Sequence, residues 1–124
     1  MKHCALFVAF CLSLLGLCSC DDVLGFGTYR IGAGYYLART DTNELALIPP
    51  DTGFGPTVSD VGWRKPFIIS RYDIDRPWDV IDTSTKQQVS ISDAQRRTDP
   101  KYREIPVYRA EEASKHLGHW KSQW

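Results

Sequence analysis

The sequence predicts an α+β fold, mostly an antiparallel β meander of about six or seven short strands with a C-terminal helix. Three observations predict it. Phe67-Ile68-Ile69-Ser70-Arg71-Tyr72 is a short apolar run bounded by turn chemistry on both sides, as a strand buried on both faces would be. Val89 and Ile91 alternate with Ser90 and Ser92, the period-2 pattern of a half-buried strand. Arg109 to Leu117 reads RAEEASKHL, in which Ala110, Ala113 and Leu117 share one helical face and Gly118 supplies a stop.

The elements follow in order along the chain. Thr28 to Ile31 is a candidate first strand. Tyr35–Arg39 and Glu44–Ile48 are a hairpin pair, since Asp41-Thr42-Asn43 tolerates left-handed backbone and bonds its own main chain. Pro49-Pro50 ends the second of these, because proline donates nothing to a ladder. Asp51 to Pro56 is a loop, and Gly62-Trp63-Arg64-Lys65-Pro66 reads as a turn before the Phe67 strand. Trp78–Asp82 is the next strand, after the Asp73–Pro77 connection, with Thr83 to Gln87 as its turn. Ser92 or Asp93 caps a short helix over 94–98, Pro100 interrupts it, and Ile105–Tyr108 is extended. Gly118 to Trp124 reads as a fraying tail.

Whole-chain properties narrow the function classes. The 124 residues suit one domain, and Lys+Arg equals Asp+Glu at 15 each, so no global field steers the chain onto nucleic acid. Charge is uneven, however. Residues 41–93 hold nine acids and five bases, and residues 94–124 hold seven bases and four acids. Docking of the basic segment on the sheet, or plain solvation, accounts for this. A basic patch facing lipid headgroups or a polyanionic wall polymer is the functional alternative. The cysteines are Cys4, Cys11, Cys18 and Cys20, with none from Asp21 onward. A disulfide framework and a thiolate zinc site are therefore excluded for the folded part.

The N-terminus reads as a secretory signal. Lys2 and His3 precede an almost unbroken apolar run, Ala5 to Leu17, too short to cross a bilayer, which takes about 20 residues. Leu17-Cys18-Ser19-Cys20 resembles the lipobox of bacterial lipoproteins, with Leu17 and Ser19 matching and Cys18 small enough for its position. That resemblance implies a signal peptide over 1–19, a diacylglycerol and palmitate on Cys20, and a tether over 20–27. The folded part then spans 28–124, with its helix at about 109–117. The implied location is a cell membrane, lipid-anchored and facing the periplasm or the exterior. Asp21 after the lipidated Cys resembles the inner-membrane signal of enterobacterial lipoproteins. The mature part, through its VGW…FIIS…WDVIDT pattern, resembles small bacterial envelope lipoproteins, and no functional residue transfers with that likeness.

Candidate sites are few. Trp63, Arg64, Arg71, Tyr72 and Trp78 combine the residue types that dominate binding hot spots, with Tyr35 and Tyr36 as possible additions. The alternative for the tryptophans is a core role. Asp73, Asp75, Asp79 and Asp82 cluster around DIDRPWD. A calcium loop would need a central glycine and a closing Glu, and Arg76 stands inside the cluster. A carboxylate pair for glycan hydrolysis needs a groove with a set separation. Gly25-x-Gly27 and Gly32-x-Gly34 lack the Lys-Ser/Thr of a phosphate loop. His116 and His119 lack a third metal ligand. Trp120 and Trp124 sit in the polar tail, to close the domain, meet a partner or touch a membrane interface. The expectation is a binding, inhibitor or adaptor module of the envelope, not an enzyme, with no cofactor beyond the lipid and with a protein or peptidoglycan partner. A peptidoglycan-binding or glycan-hydrolysing protein using the four aspartates is the alternative.

Overall fold

The computed structural model describes residues 27–124. The leader, the expected lipid site Cys20 and the tether up to residue 26 lie outside the described residues.

Two antiparallel sheets carry the architecture. The first orders its strands β1 (Thr28–Gly32), β2 (Tyr35–Asp41), β3 (Glu44–Ile48) and β4 (Thr57–Val58). Its hairpins follow from local chemistry. Ala33 and Gly34 both take positive φ, 54° and 85°, as a two-residue turn between twisted strands requires. The Gly32-x-Gly34 pair thus serves a hairpin. At the next turn the Asp41 carboxylate accepts the Thr42 N–H at 2.7 Å. Gly55 folds the following loop back so closely on the Leu47 carbonyl that a Cβ there would overlap it.

Ser59 alone separates β4 from β5 (Asp60–Arg64), so the chain passes from one sheet to the other within a single residue. The second sheet orders β8 (Gln87–Ile91), β7 (Trp78–Asp82), β6 (Phe67–Arg71), β5 and β9 (Val107–Arg109). Strands β6 to β8 form the expected meander, and β5 extends it by one strand. Residues 62–64, expected in a turn, instead pair with Phe67–Ile69. The turn is confined to Lys65-Pro66, because Val61 and Trp63 are drawn onto the apolar face beside Ile68. The α1 helix (Asp93–Thr98) starts at Ser92, whose Oγ accepts the Gln95 N–H at 3.0 Å. The α2 helix (Ala110–His116) follows β9 directly.

The second sheet is buried on both faces. Ile68 and Ile81 point toward the first sheet, into a core with Ile31, Leu37, Leu45, Leu47, Val58 and Val61, closed by Ala113 and Leu117 near the end of the chain. Ile69 and Val80 point the other way, into a second core with Trp78, Ile91, Tyr102 and Ile105. That is why FIIS lacks polar alternation: neighbouring isoleucines serve different cores. Each such side chain contributes about 1.5–3 kcal/mol on burial. Gly62 belongs to this packing, since a side chain there would overlap the Pro106 carbonyl and Val107.

Two expectations for the tail are corrected. The helix does not stop on a left-handed glycine. Leu117 ends it in extended backbone, and Gly118 makes a β-bridge to Arg30. Nor does the tail fray. Arg30 N–H donates to the Gly118 carbonyl at 2.8 Å, Gln123 N–H to that of Ile31 at 2.6 Å, and His119 Nδ1 bonds the Thr28 carbonyl at 2.7 Å. Trp124 lies on Gly32, where any side chain would collide with the indole. Its role is closure of the β1 edge.

Candidate partner-binding surface

Strand β6 ends in Arg71 and β7 begins with Trp78. The six residues between, Tyr-Asp-Ile-Asp-Arg-Pro, form an exposed loop. Its base is locked. Arg71 Nε donates to Asp60 Oδ2 at 2.8 Å, and only 13% and 14% of the two side chains remain exposed. The guanidinium stacks 4.3 Å from the centre of the Trp78 ring, and its Nη1 donates to the Ile74 carbonyl at 3.2 Å. Arg96 stacks near the same indole at 5.1 Å. The indole N–H donates to Asp93 Oδ1 at 2.9 Å. That bond, with the charges of Arg97, Arg96 and Arg71, holds the Asp93 carboxyl below its ordinary range against the opposing pull of burial.

Trp78 is therefore not a surface anchor. It is 1% exposed, and the β7 alternation that sends Val80 into the second core sends Trp78 there too. Arg71 is likewise spent on structure. Tyr72 is 62% exposed and Ile74 70%, and the Asp73 carboxylate fixes the turn between them by accepting the Ile74 N–H at 2.7 Å. The loop thus holds an aromatic and a branched aliphatic side chain out in water on a braced backbone.

Beside Tyr72 lies an open cleft of about 340 Å³. The β2–β3 hairpin contributes Asn43 and Glu44, the passage between the sheets contributes Thr57 and Ser59, and the start of α2 contributes Arg109 and Glu111. Glu44, Asp73 and Glu111 outnumber Arg109, so the cleft is acidic. Arg39 grips Glu111 through two parallel hydrogen bonds of 2.8 and 3.1 Å. Each partner stabilises the charge of the other: the pair lowers the Glu111 carboxyl pKa and raises that of Arg39.

The five residues expected in one binding surface are split. Arg64 pairs with Phe67 at one end of the β5–β6 ladder, and Arg71 pairs with Asp60 at the other, four strand residues or about 13 Å away. Arg64 lines a separate 230 Å³ groove with Lys65, Lys101 and Glu104. Trp63 is half-buried and stacks on Tyr108 at 5.3 Å, and Tyr108 in turn stacks on His116 at 4.5 Å. Of the five, Tyr72 alone stands exposed beside the cleft. The four aspartates do not converge either. Asp73 and Asp75 lie in the exposed loop, and Asp79 sits between Ser70 and Ser90 in the sheet. Asp82 turns to the far hairpin, where its bond from the Ser84 hydroxyl lowers its pKa. His116 and His119 each stack on a tyrosine, Tyr108 and Tyr29 respectively. No cluster of three potential metal ligands occurs among the described residues.

Ile74 escaped the sequence reading, although an isoleucine between two aspartates in a loop was a usable signal. The cleft residues Asn43, Ser59, Arg109 and Glu111 gave none, because they come from distant segments. No family model matches the chain, and neither a curated protein nor a solved structure matches it.

Proposed function

We propose that this chain is a lipid-anchored protein of the bacterial envelope that binds a protein partner through the Tyr72–Ile74 loop and its adjoining acidic cleft, as an inhibitor or adaptor and not as a catalyst. The observation that carries the reading is the exposure of Tyr72 and Ile74 on a loop braced by the Arg71–Ile74 hydrogen bond. Large exposed apolar groups on a backbone already fixed leave only their side-chain rotamers to be ordered on binding, which is what a binding anchor needs. The anchor half of the reading rests on Leu17-Cys18-Ser19-Cys20. Two acyl chains supply stable attachment where one gives only marginal binding.

Affinity capture from envelope extract on the full chain tests the binding half. One stoichiometric protein should be retained, and Tyr72→Ala with Ile74→Ala should weaken retention by about tenfold or more with the melting temperature unchanged. Equal capture by the double variant would sink the proposed surface. Release of soluble fragments from purified peptidoglycan would replace it with a hydrolytic role. For the anchor, Cys20→Ala should abolish palmitate labelling and membrane retention. Unchanged labelling would remove the lipoprotein assignment.

A further inference from the structure

The two sheets have four edge strands, and three of them are short or covered. The tail from Gly118 to Gln123 covers β1, β4 has two residues, and β9 has three and runs straight into α2. The fourth, β8, is different. It pairs with β7 along its full length from Gln87 to Ile91, and no described element pairs with its outer side. Every second residue of such a strand turns its N–H and C=O outward.

Its side chains do nothing to guard that edge. Gln-Gln-Val-Ser-Ile contains no charge and no proline, and the β7–β8 register runs without a bulge. These are the devices that ordinarily keep a bare strand from pairing. Gln87 to Ser90 are all exposed, and Val89 leaves 49% of its surface in water on the edge of the second core.

We propose that β8 is a self-pairing edge, on which a second copy of this chain adds its own β8 antiparallel and joins two five-stranded sheets into one. The sequence is complementary to itself in the register centred on Val89. Val89 then meets its own equivalent, and Gln88 faces Ser90 of the second copy. No like charges fall opposite one another. An isologous pairing of this kind closes at two copies and consumes both β8 edges, leaving only the short β9 strands at the ends of the joined sheet. Five residues a side make a small interface, well under the roughly 800 Å² per partner of a standard one, so the dimer forms reversibly with concentration. The inference is independent of the Tyr72 loop.

Sedimentation of the purified full chain in mild detergent should show a monomer–dimer equilibrium. Val89→Lys sets like charges opposite each other and should weaken the dimer about tenfold without lowering the melting temperature. Under mild oxidation Val89→Cys should yield a reducible dimer, whereas Phe54→Cys, more exposed but on the loop after β3, should yield no more than the unsubstituted chain. A wild-type chain that stays monomeric at every concentration, or Val89→Cys that crosslinks no better than Phe54→Cys, overturns the proposal. A mixed disulfide from Val89→Cys to a different protein also overturns it, in favour of a partner's strand on this edge.

Discussion

Tyr72 and Trp78 bound one loop, and the fold treats them in opposite ways. Tyr72 lies just past Arg71, where the strand has ended and no second layer reaches it. Trp78 is the first residue of β7, and the alternation of that strand aims it into the core shared with Ile69, Val80 and Ile91. Two guanidiniums and a carboxylate then close over the indole. An aromatic residue flanked by charge reads the same in both cases from sequence. What separates them is strand phase: Trp78 falls on the parity of Val80, and Tyr72 falls outside any ladder. The buried member braces the loop that displays the exposed one.

That division can be broken from its strongest point downward. Trp78→Ala should cost about 3–5 kcal/mol, as loss of a buried aromatic does, and thermal denaturation should show it as a large fall in melting temperature. Arg71→Ala removes one partner of a largely buried ion pair and leaves Asp60 behind. Its cost should be about 2–3 kcal/mol, below the range for fully buried pairs because some water still reaches both groups. Capture should also fall in this variant, since Ile74 loses the bond that fixes its carbonyl. Trp78→Phe is milder: it deletes the N–H to Asp93 and the five-membered half of the buried indole, for about 2 kcal/mol from the lost bond and the cavity together. It carries a pH signature. The Asp93 pKa is lower in the folded chain than in the unfolded one, so its contribution is present above the ordinary aspartate range near pH 4 and disappears as pH falls through the lowered folded value. Denaturant unfolding at pH 7 and again below pH 3 should therefore show the gap between Trp78→Phe and the parent chain shrinking in acid. Tyr72→Ala and Ile74→Ala close the series, each within about 0.5 kcal/mol of the parent in stability.

Much of the fold was legible because it is local. The Asp41-Thr42-Asn43 hairpin, the Pro49 stop, the meander from Phe67 and the Ser92 cap each rest on a few adjacent residues. Three features were not. Trp63 reads as turn because Gly62 and Pro66 flank it, yet tertiary packing keeps the strand going to Arg64. Gly118 reads as a helix stop and is a bridge residue, because the acceptor it offers is used by Arg30, 88 positions earlier. The polar tail reads as loose because its partner is an edge strand at the other end of the described chain. The candidate surface was legible only in Tyr72. Its Ile74 was visible and passed over, and the cleft beside it is assembled from four separated segments.

The bridge from Gly118 to Arg30 bears on how the chain reaches its native state. Nearly all the strand pairs are hairpins between neighbours, which search only short loops. The exceptions are the pairing of β9 with β5 and the seating of 118–123 on β1. Loop-closure entropy makes such distant pairings the slow part of a search. Both are made by segments that follow every hairpin of the two sheets along the chain. A chain emerging N-terminus first can assemble its hairpins, but until residues 107–124 are also free Ile31 and Val61 lack the cover that Tyr108, Ala113, Leu117 and Trp124 supply. The core between the two sheets is thereby the last part of the fold to close.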